Sequence, residues 1–239
     1  MKIQARARIH SSVAEVGYCI VLGNSFIVAN DLLSDFNDFR QDWNDLPIDE
    51  YLFDGGKYRY RRFGRLSFIP ELSQLTPLPQ RPFFQDRQLN AFAGGVERTF
   101  PDLSPRTYDN SFLKELIEYD FRQFPTSVER IGDRWEVGIH QIRIIADVGG
   151  RGEPTPEGIH RDGHELLSMH LIRREGVSGG ESMIYDSNRV PLDRIILREP
   201  LDSIYIDDRR VMHSVTPIHR CIPRRRAIRD MLIIDFDLE

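Results

Sequence analysis

The residues best suited to chemistry are His160-Arg161-Asp162 and, well downstream, His213. On a strand, residues two apart point the same way, so the His160 imidazole and the Asp162 carboxylate can hold adjacent positions on one metal ion. His213 lies in Val211-Met212-His213-Ser214-Val215-Thr216-Pro217, which reads as the next-to-last strand. In a jelly roll the second and seventh strands can be inner-face neighbours, which would bring the three side chains together. Two imidazoles and one carboxylate on one face leave three coordination positions open, the arrangement suited to non-haem Fe(II) and oxygen chemistry. Zinc more often takes a closed tetrahedral site. A lone His-x-Asp is a weak signal, and the competing reading is a core histidine at 213 with a surface pair at 160 and 162.

Arg229 adds a second chemical feature. It begins the last strand, Arg229-Asp230-Met231-Leu232-Ile233-Ile234-Asp235-Phe236, where alternation puts Arg229, Met231, Ile233 and Asp235 on one face. If that face is interior, Arg229 is a buried cation that needs an anionic partner. A dicarboxylate chelating the metal would supply one through a two-point contact. Otherwise Arg229 belongs to a solvated cluster with Arg220, Arg224, Arg225 and Arg226.

The elements that must position these groups are short. Past residue 130 the chain reads as eight strands: Trp135 to Ala146, Gly158 to Asp162, Leu166 to Arg173, Glu181 to Asp186, Arg194 to Leu197, Ser203 to Asp207, Val211 to Pro217 and Ile228 to Phe236. Gly149-Gly150, Gly179-Gly180, Pro191 and Pro200 mark turns between them. Upstream, Gly17 to Leu22 reads as a buried strand. Leu32, Leu33, Phe36, Phe39 and Trp43 recur at helical spacing behind a cap at Asn30 or Asp31, and Pro47 stops them. A second helix runs from Ser111 to Phe124 and ends at Pro125. Residues 51–105 are irregular and aromatic, with Tyr58, Tyr60, Phe63, Phe68, Phe83, Phe84, Phe92 and Phe100, and are expected to be ordered cover over a site. The expected fold is mainly β, a double-stranded β-helix (jelly roll, cupin-like) with N-terminal helices packed outside. It forms a single domain over 1–239, with 1–128 as helical and irregular cover and 129–239 as the jelly-roll core.

At 239 residues, 40% hydrophobic and 29% charged, the chain can bury a sizeable core, which excludes a disordered chain, a collagen and a small disulfide scaffold. Its 32 basic and 37 acidic residues give a net charge of −5, which argues against a general nucleic-acid-binding field. Cys19 and Cys221 are the only cysteines. They offer no thiolate metal site and fit a reduced, cytoplasmic protein. No apolar run reaches the ~18 residues of a membrane span, and nothing at the start resembles a secretory signal. The sequence gives no oligomeric state.

Several motifs in order carry a resemblance: Trp135…His140-Gln141-Ile142-Arg143, Gly158-Ile159-His160-Arg161-Asp162-Gly163, Gly179-Gly180-Glu181…Tyr185-Asp186, His213-Ser214-Val215-Thr216-Pro217 and the closing strand from Arg229. Upstream they extend to Phe53-Asp54-Gly55-Gly56…Tyr58-Arg59-Tyr60-Arg61-Arg62-Phe63 and Phe84-Gln85…Asn90…Gly94-Gly95…Arg98. Over roughly residues 50 to 237 the chain resembles the bacterial Fe(II)- and 2-oxoglutarate-dependent dioxygenases that hydroxylate free aliphatic amino acids, the L-isoleucine dioxygenase group. The resemblance implies His160, Asp162 and His213 as catalytic iron ligands, with O2 and 2-oxoglutarate as co-substrates that yield succinate, CO2 and a hydroxylated carbon. It also implies a late arginine for the distal carboxylate of 2-oxoglutarate. Arg229 is the match and Arg225 stays in play, with a hydroxyl contact from Thr216 or Ser214.

An amino-acid substrate also needs its carboxylate and ammonium held. Arg143 and Gln141 share a strand face and are candidates for the carboxylate, as are Arg59 and Arg61 from the cover. His140 falls on the opposite face from Arg143 and is read as core, His164 and His170 as strand surface, and His219 as loop. Two other functions are weighed. One keeps the chemistry but acts on a peptide, a protein or a carrier-tethered amino acid. The other is a non-enzymatic nucleic-acid or ligand-binding β domain, based on the interleaved arginines and aromatics of Tyr58 to Phe63.

Overall fold

The computed structural model describes residues 2–87, 94–147, 150–222 and 225–239; Asn90, Phe92, Gly149 and Arg224 lie outside them. In the first half, strands and helices alternate as β1 (Ile3–Ala5), α1 (Ile9–Val16), β2 (Tyr18–Val21), β3 (Phe26–Val28), α2 (Asn30–Gln41), β4 (Arg59–Ile69), β5 (Gln74–Pro77), α3 (Pro105–Asp109) and α4 (Ser111–Gln123). Strands follow: β6 (Trp135–Ala146), β7 (Leu166–Glu175), β8 (Val177–Gly179), β9 (Ser182–Tyr185), β10 (Pro191–Ile195), β11 (Ser203–Asp207), β12 (Met212–Val215), β13 (Ile218–Arg220) and β14 (Ala227–Leu238). The architecture is the expected double-stranded β-helix. A seven-stranded sheet, ordered β2-β11-β7-β14-β6-β4-β5, faces a three-stranded sheet, β10-β9-β12.

The two faces of the large sheet do different work. Val137, Ile139, Leu232, Ile234 and Phe236 project toward the helices and pack with Phe112, Leu116, Ile117 and Phe121 of α4 and with Phe39 and Trp43. This helical core follows from apolar stripes at 3.6-residue spacing meeting the alternate residues of strands. Asn110 caps α4 by accepting the Leu113 N–H through its side chain at 3.0 Å. The opposite face of the sheet, including Leu167, Met169, Ile204 and Met231, turns toward the small sheet.

Several local expectations need correction. Residues 51–105 are not irregular throughout: β4 runs eleven residues within them and pairs with β6 from Arg59↔Ile144 to Phe68↔Trp135. Its many arginines hide the apolar alternation that marks a strand. Neither Asn30 nor Asp31 caps α2; the N-cap is Ala29, with no side-chain cap, and both residues lie inside the first turn. There Asp31 pairs with Lys2 at 2.8 Å. Gly158 to Asp162 is not a strand but a loop between two glycines of positive φ, touching the small sheet through the isolated bridge His160↔His213. The strand expected at Arg194 to Leu197 instead spans Pro191–Ile195.

Candidate active site

The bridge between His160 and His213 builds a constellation that could hold a metal ion. The two backbones exchange N–H···O hydrogen bonds at 3.0 Å each, which aligns a loop residue beside β12. The rings sit 4.4 Å apart, and one donor atom from each of His160, Asp162 and His213 lies within 4.8 Å of the others. His160 Nε2 is 3.5 Å from Asp162 Oδ1, and His213 Nε2 is 3.5 Å from Asp162 Oδ2. The carbonyl of Gly158 can only accept a hydrogen bond, so His160 Nδ1 donates to it at 3.0 Å. That contact commits Nδ1 to the carbonyl and leaves Nε2 as the nitrogen that faces the cluster, the usual outer contact of a metal-ligating histidine. Burial and the neighbouring His160 push His213 down to about 4, so its imidazole is neutral at pH 7. Burial opposes it, but His160 and His213 hold the Asp162 carboxyl well below its ordinary range. Two imidazoles and an ionised carboxylate, placed on one side, form a donor set that fits Fe(II) with positions to spare.

The triad faces a cavity of about 900 Å³ between the two sheets, its open mouth included. Registers fix which side chains form its floor. Arg59 and Arg229 flank Ile144, Arg61 and Met231 flank Ile142, and Phe63 and Ile233 flank His140. Arg229 is 3% exposed, and among the described residues it has no carboxylate within ion-pair distance and its Nε has no hydrogen-bond partner. Burial, then the adjacent Arg174, lowers its pKa to about 10, so it remains charged near neutrality. Gly180, at φ +68°, makes room for both cations: a Cβ there would stand 3.1 Å from Arg174 Nη1 and 3.5 Å from Arg229 Cδ.

A second group of cations lies on the other side of β6. Arg59 donates to Asp49 at 2.6 Å, while Arg61 donates from Nη2 to His140 Nδ1 at 2.6 Å. A guanidinium cannot accept, so His140 carries its proton on Nε2 and donates it to Asp235 Oδ2 at 2.8 Å. Burial pushes His140 down to about 4, against the pull of Asp235. Arg98 donates to Gln85 Oε1 at 2.7 Å, and Gln85 donates to the Asp162 carbonyl at 2.9 Å. Glu157 lines the same cavity, with Oε1 3.4 Å from His160 Nε2.

The structure brings together His160, Asp162, His213, Arg229, Arg59 and Arg61, and separates the other candidates from them. Gln141 and Arg143 point to the helical face. There Arg143 forms two hydrogen bonds with Asp230, at 2.7 and 2.9 Å, and Gln141 is buried outside the cavity. The assumed parity of β6 was reversed, and a one-residue error moves every side chain to the other face. His140 is consequently a cavity residue rather than helical-side core. Ser214 and Thr216 alternate with the inward His213 and Val215. Ser214 meets the Tyr185 hydroxyl at 3.1 Å, and Thr216 accepts the Glu181 N–H at 2.9 Å, so neither reaches the cavity. Arg225 is exposed on a bend outside it.

His170 is not surface: it is fully buried, with Ser203 Oγ at 2.7 Å and Asp120 Oδ2 at 2.8 Å. His164 is half-buried on a loop, lines the cavity, and has Nδ1 2.6 Å from Asp237. The stretch Tyr58 to Phe63 offers no exposed row of arginines and rings, because Arg59, Arg61 and Phe63 are buried. Arg98, Gln85, Glu157 and Thr155 were not among the expected site residues. They come from loops without periodicity, and only the Gln85…Arg98 motif hinted at two of them.

The chain is similar to proteins already known. The sequence matches the family described as 2OG-Fe dioxygenase over residues 40–235. An L-isoleucine-4-hydroxylase of Bacillus thuringiensis is 25% identical over 198 residues, covering 82% of this chain and 80% of that protein. A 3(1)-hydroxy-L-isoleucine 4-dioxygenase of Pantoea ananatis is 24% identical over 231 residues, covering 92% of this chain and 91% of that protein. Among solved structures, a bsmA homologue from Methylobium petroleophilum PM1 is 31% identical, with a TM-score of 0.83 over 98% of this chain and 93% of that one.

Proposed function

Because this chain belongs to the 2OG-Fe dioxygenase family, we propose that it hydroxylates an unactivated carbon of a small free L-amino acid. His160, Asp162 and His213 are assigned as the iron ligands and Arg229 as the residue that takes the distal carboxylate of 2-oxoglutarate. In this family Fe(II), 2-oxoglutarate and O2 together supply the chemistry: one oxygen atom enters succinate as CO2 departs, and the other becomes the new hydroxyl. The observation that carries the reading is one cavity holding both a two-histidine, one-carboxylate cluster and a buried arginine without an acidic partner among the described residues.

The chain's own residues orient and protect. His160 Nδ1 stays on the Gly158 carbonyl, keeping Nε2 aimed at the shared position. Gln85, held by Arg98, fixes the backbone that carries Asp162. Arg229 binds an anion through a charge that has nowhere else to pair, which gives the co-substrate one orientation. Ile142, Met231 and Ile233 keep water from the reacting carbon. Named relatives that act on isoleucine or hydroxyisoleucine support a free amino acid as substrate.

We treat residues 1–239 as one domain, since β2, β4 and β5 join the same sheet as β6, β7, β11 and β14. The two unpaired cysteines fit a reducing, cytoplasmic setting. Among the described residues no helix is long and apolar enough to cross a membrane.

A screen of the common L-amino acids for Fe(II)-dependent succinate release tests the reading. At least one aliphatic amino acid is expected to raise succinate well above the level with 2-oxoglutarate alone. Stimulation by peptides but by no free amino acid would transfer the reading to a polypeptide substrate.

A further inference from the structure

The cations beside β4 are unevenly paired. Of Arg59, Arg61 and Arg98, all buried, only Arg59 has a carboxylate within ion-pair distance among the described residues. Arg61 lies over the Phe100 and Phe83 rings at 4.0 and 5.1 Å, and Arg98 over the same rings at 5.7 and 4.9 Å. The aromatic faces hold the guanidinium planes without neutralising them. The Nε of each is buried and has no hydrogen-bond partner, at 6% and 2% residue exposure. Asp49 and Asp162 act on both only from beyond contact distance, and two buried cations without a touching carboxylate among the described residues, with donors lining a cavity, are a receptor for an anion.

The same cavity holds the complementary charge. Glu157 projects into it with its side chain 10% exposed, beside His160, and acts electrostatically on Arg98. A guest that satisfies both must carry a carboxylate and, a short distance away, a cation. An α-amino acid head has that pattern. Its remaining carbon chain would meet Ile142, Met231 and Ile233, the apolar rows between the two arginine groups. Co-substrate and substrate are kept apart by construction. Arg229 and the β4 arginines stand on opposite sides of β6, two strand spacings or roughly 10 Å apart along the sheet.

We infer that Arg61 and Arg98 bind the α-carboxylate of the amino-acid substrate and Glu157 its α-ammonium, so that the enzyme reads a free zwitterionic head and rejects acylated or amidated ones. This rests on the free-amino-acid reading above and adds the groups that enforce it. A peptide bond at either end of the substrate would strand one buried charge against a neutral group, which is the physical basis for excluding polypeptides.

The full-length enzyme, Fe(II) and 2-oxoglutarate are assayed for succinate with the best amino acid from the screen, its 2-hydroxy acid analogue and its carboxamide. The wild type is expected to prefer the amino acid about 100-fold or more over each analogue. Glu157→Gln should raise KM for the amino acid about tenfold or more while leaving the 2-hydroxy acid nearly unaffected, which closes that gap. Arg61→Met or Arg98→Met should close the gap to the carboxamide, with Arg61→Lys restoring part of it. KM for 2-oxoglutarate and Fe(II) affinity, titrated without O2, should stay at wild-type values in Glu157→Gln, an isosteric change that leaves the fold intact.

Wild-type selectivity ratios in the folded variants would overturn the assignment, and so would a loss of Fe(II) affinity in Glu157→Gln, which would make Glu157 a ligand. If no free amino acid drives succinate release while the enzyme still binds Fe(II) and 2-oxoglutarate, the substrate reading itself falls. That result is distinct from turnover with unmoved ratios.

Discussion

Arg229 and Arg225 are four residues apart and chemically identical, yet one is a buried cation without an acid in contact among the described residues and the other is solvated. Arg229→Ala should therefore weaken 2-oxoglutarate binding by about 2–5 kcal/mol, the cost of losing a desolvated charge contact, with Arg225→Ala unchanged. Calorimetric titration of 2-oxoglutarate into each variant under anaerobic conditions checks this. Equal affinity in the two variants would return the role to the arginine cluster. His160→Ala and His213→Ala each remove one of three donors and should abolish Fe(II)-dependent succinate release, read as succinate per hour at saturating 2-oxoglutarate. Unimpaired turnover in both would remove them as ligands.

At the scale of elements, the contact between α4 and the large sheet is polar at its centre. Asp120 on α4 accepts from Ser168 at 2.7 Å and Tyr205 at 2.7 Å and meets His170 at 2.8 Å, all within the buried interface. Removing that acceptor leaves three polar groups of β7 and β11 without it. Asp120→Ala should cost about 3–5 kcal/mol of stability, measured as a lower denaturant midpoint with an unchanged slope. A loss under about 1 kcal/mol would mean that water replaces the carboxylate. Because Ser168 and His170 point away from the cavity, the folded fraction should keep its KM for 2-oxoglutarate.

For the whole molecule, two linkages can be measured. His140 takes up a proton at about 4 when folded, owing to burial, and at the ordinary value of 6.5 when unfolded. Between those values the unfolded chain binds more protons. The stability that His140 contributes is therefore complete above pH 6.5 and lost as pH falls toward 4. Urea midpoints should decline over this window in the wild type and less steeply in His140→Gln; parallel declines would assign the effect to other groups. The second linkage is to ligands. Fe(II) or Mn(II) with 2-oxoglutarate should raise Tm, since ligands that bind only the native state stabilise it by about 2.7 kcal/mol at a hundredfold excess over Kd. Chelation by EDTA should reverse the shift, and an absent shift would count against a metal centre between the sheets.

The grouping of His160, Asp162 and His213 and the jelly roll were legible in the chain because each rests on local chemistry. His160-x-Asp162 is a short-range pair, His213 and Arg229 sit in alternating strands, and β6 and β11 matched their expected limits. The interior face of β14 was legible, with Arg229, Met231, Ile233 and Asp235 all on the cavity, but that of β6 was not. On β6 the odd-numbered Trp135, Val137 and Ile139 pack on the helical side, and Arg143 follows them there to pair with Asp230, its neighbour in the register. Likewise, Arg59 and Arg61 were candidates without a fixed position until β4 took its place between β5 and β6. Residue types fix which groups can bind iron or an anion. Which charges end up without a partner is a property of three-dimensional pairing, because burial and neutralisation are settled by residues far away along the chain.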